Sequence, residues 1–149
     1  MRFWGLAGES GNESLDFGQM LYFTLPSDVT CVTYEVRSDD RTKGFTSFVM
    51  KQTSFNAWKA NEFTGVYIFY EGSKCDSTYY CKQQVTPMAA GGNVVVIMNT
   101  DHLMSSVDIV YDVQDCSSVL GNMFNAAPTR AVYPALAAAF LAMMAALVF

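Results

Sequence analysis

The sequence predicts an all-β protein, an antiparallel β-sandwich of about six to eight strands with one short helix between strands and an apolar C-terminal helix. Short apolar or alternating segments recur along the chain, separated by Gly, Asn, Asp and Ser. Four cysteines in 149 residues and an uncharged C-terminal run complete the pattern. We divide the chain into an N-terminal segment that is truncated or flexible (1–13), a sandwich domain (14–116), a linker (117–134) and an apolar tail (135–149).

Six segments have the composition of β-strands. Apolar residues alternate with polar ones from Leu15 to Leu25, which indicates one half-buried strand, and residues 32–37 alternate in the same way. NVVVIMNT (93–100) is apolar on both faces and is predicted to be central in its sheet. The other predicted strands are FTSFVMKQ (45–52), FTGVYIFYE (63–71) and SSVDIVYDVQ (105–114), with a seventh if Lys82 to Thr86 pairs.

One segment inside the sandwich domain has a helical pattern. TSFNAWKAN (53–61) offers Thr53 or Ser54 as N-cap and places apolar residues three positions apart. The residues expected to face inward are Phe55, Ala57 and Trp58.

Charge and ligand chemistry exclude several classes of function. The net charge is -5, and the nine Lys and Arg residues are scattered, so they form no stripe that could neutralise nucleic-acid phosphates. A single histidine, His102, leaves a zinc site almost without ligands, and no loop has the D-x-D-x-D ladder of a calcium site. We therefore predict no metal, no cofactor and no nucleic-acid partner.

The four cysteines indicate disulfides rather than free thiols. Four cysteines allow three pairings, and the sequence does not formally choose among them. Cys75 and Cys81 flank a short polar loop, whereas Cys31 and Cys116 bracket the β-rich body, so we favour the pairs 75 with 81 and 31 with 116. Such bridges are typical of small proteins on the oxidising side of a membrane.

The C-terminal run AVYPALAAAFLAMMAALVF (131–149) contains no charge. Past Pro134 it is short for a membrane-spanning helix, which needs about 20 apolar residues. Small residues, a spacer and an apolar tail also make up a signal for a glycosylphosphatidylinositol (GPI) anchor. We rank the attachment sites as Asn125 first, then Asn122 and Gly121, and keep a spanning helix and a buried helix as alternatives.

The N-terminal region carries one indication of secretion and one feature that does not fit it. Asn12-Glu13-Ser14 is a glycosylation sequon, which predicts a glycan on Asn12. The apolar run before Glu9 is too short for a signal peptide, which leaves two explanations: the sequence lacks part of its N-terminus, or the protein is inserted through its tail. We favour the first, because tail insertion would leave the cysteines in a reducing cytosol.

The segments FVMKQTSFNAWKANE, GVYIFYEGSKCDSTYYC and GGNVVVIMNTDHLMSSVDIVYDV, in this order, give the chain a resemblance to a group of small secreted β-sandwich modules. The region from about residue 45 to 115 resembles the modules of cell-surface proteins, broadly in the manner of GOLD or pre-peptidase C-terminal domains. The resemblance implies a binding or structural module and assigns no functional residue.

Aromatic residues supply the candidate contact surface. Tyr79 and Tyr80 lie in the loop between two cysteines and are hard to bury, and Trp58 lies on the predicted helix. By contrast, Asp101 and His102 beside Ser105 and Ser106 are too crowded in one loop to form a hydrolase triad.

Together these features predict a non-enzymatic, extracellular cell-surface module for adhesion, recognition or coat structure. It would be attached to the membrane through its C-terminal tail or a lipid anchor, and would bind a glycan or protein ligand. The alternatives are a carbohydrate-binding module that uses Tyr79, Tyr80 or Trp58, a luminal or surface protein with a single spanning C-terminal helix, and a secreted hydrolase that depends on His102.

Overall fold

The computed structural model describes residues 8–100, 105–117 and 129–132. The elements are β1 (Gly8–Leu15), β2 (Met20–Thr24), β3 (Val32–Ser38), β4 (Phe45–Lys51), α1 (Gln52–Ala60), β5 (Cys75–Thr78), β6 (Tyr80–Val85), β7 (Asn93–Met98), β8 (Val107–Asp115) and β9 (Thr129–Val132). The strands form two antiparallel sheets with strand orders β1-β8-β3-β6 and β5-β4-β7-β2-β9. This arrangement confirms the predicted antiparallel sandwich with one short helix, while the predicted C-terminal helix lies outside the described residues.

The central core lies between the two sheets. Tyr34 of β3, Tyr111 of β8 and Phe23 of β2 belong to this core, and all three are at most 1% exposed. The rings of Tyr111 and Phe23 meet across the two sheets with a centroid distance of 5.0 Å. Gly11 of β1 lies opposite Tyr111 in the β1–β8 pair. A Cβ at residue 11 would lie 2.8 Å from the Tyr111 hydroxyl oxygen, so the glycine leaves the room that this ring needs. Burying a large apolar side chain in this way contributes about 1.5–3 kcal/mol.

A second cluster, here called the outer aromatic cluster, lies on the opposite face of the five-stranded sheet and is covered by α1. β7 contributes to both cores, because Val94 and Val96 face the outer cluster while Val95 and Ile97 face the central core. This arrangement, with β7 between β4 and β2, confirms its predicted central position. The outer aromatic cluster consists of Met20, Phe48, Met50, Phe55, Trp58, Phe63, Tyr67, Val94, Val96 and Met98.

Both disulfides are present in the favoured pairing. Cys31 and Cys116 lie just beyond the last pair of β3 and β8, so their bridge ties neighbouring strands of one sheet. Cys75 belongs to β5 and Cys81 to β6, which lie at the edges of different sheets. The Cys75–Cys81 bridge therefore joins the two sheets along one side of the sandwich.

The predicted single strand from Leu15 to Leu25 is wrong. β1 ends at Leu15, and β2 begins at Met20 in the other sheet. Between them Gly18 has a φ of 82°, and the Gln19 amide donates to the Asp16 carbonyl over 2.9 Å. Glycine adopts this left-handed conformation without steric cost, so the chain reverses while the apolar alternation continues through the turn.

The sandwich extends beyond its predicted boundaries at both ends. β1 pairs with β8 from Gly8↔Gln114 to Leu15↔Val107, so residues 8–13 belong to the sheet. β9, inside the predicted linker, pairs with β2. The polar sequence of β1 concealed it, because an edge strand pairs through its backbone and needs few apolar side chains.

The predicted strand at residues 63–71 is also wrong. The edge of β4 is already occupied by β5 at Ser47↔Cys75. Further along β4, the Val49 amide donates to the Ser73 hydroxyl over 3.0 Å, and the Val49 carbonyl accepts from the Tyr70 amide over 2.8 Å. Residues 64–69 consequently run over the outer aromatic cluster instead of joining the sheet.

The predicted helix is confirmed with small differences. α1 runs from Gln52 to Ala60 and buries Phe55 and Trp58 as predicted. Its N-cap is Lys51, without a side-chain cap, rather than Thr53 or Ser54. Ala57 is exposed and not inward-facing. In the three described ranges, no helix has the length and apolar character needed to cross a bilayer.

Candidate binding surface

A concave surface lies between α1 and the segment that follows it. Glu62 and Phe63 have φ values of 55° and 58°, and Gly65 has a φ of 82°, so the chain turns back beside the helix that it has just left. The resulting space, here called the α1 groove, has a volume of about 660 Å³. It is lined by Thr53, Ser54, Ala57, Trp58, Ala60, Asn61, Thr64, Val66, Tyr67 and Ile68.

Aromatic stacking fixes the wall of the groove. The ring of Tyr67 stacks on Phe48 with a centroid distance of 4.9 Å and an interplanar angle of 19°. Trp58 packs against Tyr67 at 4.8 Å and meets Phe63 edge-on at 5.0 Å. Ring pairs of this kind contribute about 0.5–1.5 kcal/mol beyond their buried area, so the groove is preformed.

Two groove-lining side chains carry buried polar atoms without a hydrogen-bond partner. Within the described part of the chain, neither the indole Nε1 of Trp58 nor the hydroxyl of Tyr67 makes a hydrogen bond. Leaving such a group unpaired costs about 1–3 kcal/mol. Burial, followed by the nearby Asp76 carboxylate, raises the pKa of Tyr67 to about 12, so its hydroxyl keeps its proton at neutral pH.

Lys74 lies against the aromatic rings. Its Nζ is 5.3 Å from the ring centroid of Phe69 and 5.8 Å from that of Tyr67, within cation–π range. Burial lowers the pKa of Lys74, and the Asp76 carboxylate opposes that shift. The ammonium group therefore places a positive charge beside an otherwise apolar cluster.

The outer rim of the α1 groove is apolar and exposed. Val66 and Ile68 are 75% and 71% exposed. The alternate residues Tyr67 and Phe69 instead turn toward the outer aromatic cluster. Within the described chain, the backbone of residues 65–69 takes part in no backbone-to-backbone hydrogen bond. The rim thus presents apolar side chains together with unpaired backbone groups.

The three aromatic candidates from the sequence do not share one surface. Trp58 is only 3% exposed and belongs to the wall of the groove. Tyr79 and Tyr80 are exposed at the corner between β5 and β6, where the Arg41 guanidinium lies 5.7 Å from the Tyr79 ring centroid. The Tyr80 hydroxyl donates to Glu35 over 3.2 Å. Of the three candidates, only Trp58 lines the α1 groove, and the exposed pair Val66 and Ile68 was not among them.

The remaining candidates are only partly placed. Asn12 is exposed on edge strand β1, and its glycosylation stays a prediction. Asp101 and His102, and the attachment candidates Asn125, Asn122 and Gly121, lie outside the described residues. Among the residues that are described, no three His, Cys, Asp or Glu side chains are grouped to hold a metal ion.

Comparison with known proteins gives no family. No family model and no curated protein matches the sequence. Among solved structures, the chain is similar to a mitogen derived from Yersinia pseudotuberculosis, with a TM-score of 0.46, 8% identity, and coverage of 76% of this chain and 89% of that one. It is also similar to a family two carbohydrate esterase from Cellvibrio japonicus, with a TM-score of 0.38, 9% identity, and coverage of 87% of this chain and 32% of that one.

At these scores neither likeness carries an argument about function. The chain spans about a third of the esterase's length. Neither neighbour is a GOLD or pre-peptidase C-terminal module, and that resemblance stays a prediction.

Proposed function

We propose that the chain is a non-enzymatic extracellular recognition module, attached to a membrane through its C-terminal segment, and that the α1 groove is its contact surface. The observation that carries the proposal is the exposure of Val66 and Ile68 beside the groove. Both stand next to a rigid aromatic wall that contains unpaired buried donors.

The energetics of the groove favour a partner. Exposed aliphatic side chains lose the hydrophobic stabilisation that burial would give. A partner that covers Val66 and Ile68 would recover that stabilisation, while the aromatic wall behind them stays in place. Interfaces typically combine an apolar patch, here Val66 and Ile68, with neighbouring polar groups, here Thr53, Asn61 and Thr64 of the groove lining.

The disulfides and the tail support the cellular placement. Two disulfides in a small domain point to an oxidising compartment. The uncharged run at residues 131–149 supports membrane attachment, by lipid exchange at Asn125 or by insertion of the run itself.

Mass spectrometry of the mature C-terminal peptide tests the attachment. In protein taken from a eukaryotic membrane fraction, we expect the peptide to end at Asn125, Asn122 or Gly121 with a glycolipid remnant. Recovery of a peptide that contains an unmodified Phe149 would contradict lipid exchange. Protease protection of an added C-terminal tag would then distinguish a spanning helix from an exposed tail.

Selection of binding peptides tests the α1 groove. A phage-displayed peptide library panned against the purified full chain should yield sequences with apolar side chains. Replacing Val66 and Ile68 together by serine should weaken their binding at least about tenfold, because one or two apolar anchors are each worth over 1 kcal/mol. The dissociation constants are measured by titration calorimetry.

Tyr80→Ala is the matched control, since it removes an exposed aromatic side chain from the β5–β6 corner, away from the α1 groove. We expect this variant to bind the selected peptides like wild type. If binding is lost in Tyr80→Ala and kept in the serine double variant, the contact surface is the corner and not the groove. A glycan array with the same two variants tests the carbohydrate alternative.

A further inference from the structure

The outer edge of β2 is covered by β9. The two strands pair antiparallel from Leu21↔Val132 to Thr24↔Thr129, and β7 holds the other edge of β2. β9 is thus the last strand of the five-stranded sheet, and β2 becomes an edge strand if β9 is removed.

The other edge strands carry features that discourage pairing with another protein. β1 contains Glu9 and Glu13, and β6 contains Lys82. β5 has only four residues, and its pairing with β4 is irregular between Phe45 and Ser47. Charge, short length and irregular register are the means by which sheets protect their edges.

β2 has none of these protections. Its sequence MLYFT contains no charge and no proline, and its pairing with β7 is regular. Met20, Leu21 and Phe23 are all 0% exposed. β2 therefore has the character of an interior strand, and an edge without charge, proline or a bulge associates readily with another strand.

Every predicted attachment site precedes β9 in the sequence. Lipid exchange at Asn125, Asn122 or Gly121 would remove residues 129–132 together with the apolar tail. The processed chain would then expose the outer edge of β2.

We propose that β2 is a strand-pairing edge that joins β2 of a second copy of this chain once β9 is removed. In cells this step depends on the proposed lipid exchange. An antiparallel pair centred on Tyr22 places Leu21 opposite Phe23, and both belong to the core face of the sheet. Because MLYFT has no charge, the pairing brings no like charges together, and it forms a closed two-fold dimer.

The test uses the full chain with a protease recognition sequence inserted between Asn125 and Thr129 and an affinity tag after Phe149. The uncut chain is purified in detergent, cut, and passed over the affinity resin, which retains the released segment. Analytical ultracentrifugation should show that the mass of the sandwich doubles after cutting. Tyr22→Cys should form an intermolecular disulfide in the cut chain, because residue 22 faces itself in the dimer.

Two matched variants of β2 act as controls. In Thr24→Cys, the cysteines of the two copies are far apart, since residue 24 faces residue 20, and no intermolecular disulfide is expected. Thr24→Lys adds an edge charge and should keep the cut chain monomeric.

The proposal is overturned if the cut sandwich is monomeric without its released segment, if the segment stays bound after cutting, or if Thr24→Lys dimerises like wild type. These results do not depend on the membrane-fraction experiment. A failure of lipid exchange in cells is therefore distinguishable from a failure of strand pairing.

Discussion

Removal of the Cys31–Cys116 disulfide is expected to lower the free energy of unfolding by about 4–5 kcal/mol on the chain-entropy model. The bridge closes a loop with a sequence separation of 85 and so removes much of the conformational freedom of the unfolded chain. Domains of this size have about 5–15 kcal/mol of stability in total, so the loss would leave a marginal fold. Guanidinium unfolding of the double variant Cys31→Ala/Cys116→Ala measures the change.

The second disulfide is the matched control. Cys75 and Cys81 are separated by only 6 positions, so Cys75→Ala/Cys81→Ala should cost about 2 kcal/mol. Equal losses in the two double variants would contradict the entropic explanation and would point to the native contacts of each bridge. One such contact belongs to the Cys31–Cys116 bridge, where the Thr33 hydroxyl donates to the Cys116 sulfur over 3.5 Å.

The sequence predicted best where one face of a strand meets one core. Val32, Tyr34 and Val36 alternate with polar residues, and all three are buried in the central core. The run at Asn93–Met98 is apolar on both faces because two cores meet at β7. The period of two residues fixes the type of element at residues 32–36, whereas at residues 93–98 the short length of the run and its β-branched side chains do so.

The errors arose where the local pattern fits two arrangements. Alternation continues from Leu15 through Leu25, although Gly18 reverses the chain between two sheets. Residues 63–71 are apolar at nearly every position, which is equally consistent with a central strand and with a segment that covers a second cluster. The occupancy of the β4 edge by β5 decides between them, and this long-range pairing is not visible in the segment itself.

The candidate site shows the same limit. Trp58 was found because large aromatic residues are rare and the helical pattern placed it. Val66 and Ile68 were missed because exposure of an aliphatic residue depends on which elements cover it. The turn at Glu62, Phe63 and Gly65, which separates them from the sheet, combines three positive φ values, two of them at residues that seldom adopt this conformation.

Replacement of Trp58 by alanine is expected to lower the free energy of unfolding by about 3–5 kcal/mol, the cost of removing a buried aromatic residue. Trp58 is 3% exposed and packs against Phe48, Phe55, Phe63 and Tyr67. The cavity left behind would remove support from both walls of the α1 groove. Urea unfolding followed by circular dichroism measures the loss.

Two further variants separate packing from polarity at this position. Asn56→Ala changes an exposed residue of the same helix and should shift stability by no more than about 0.5 kcal/mol. Trp58→Phe keeps an aromatic ring but removes the unpaired Nε1 donor, so it should cost less than Trp58→Ala. An unchanged unfolding midpoint in Trp58→Ala would mean that the indole does not support the groove. By contrast, the double serine variant of Val66 and Ile68 should lose peptide binding and keep the wild-type free energy of unfolding. Those two side chains are exposed, and the aromatic wall behind them is unchanged.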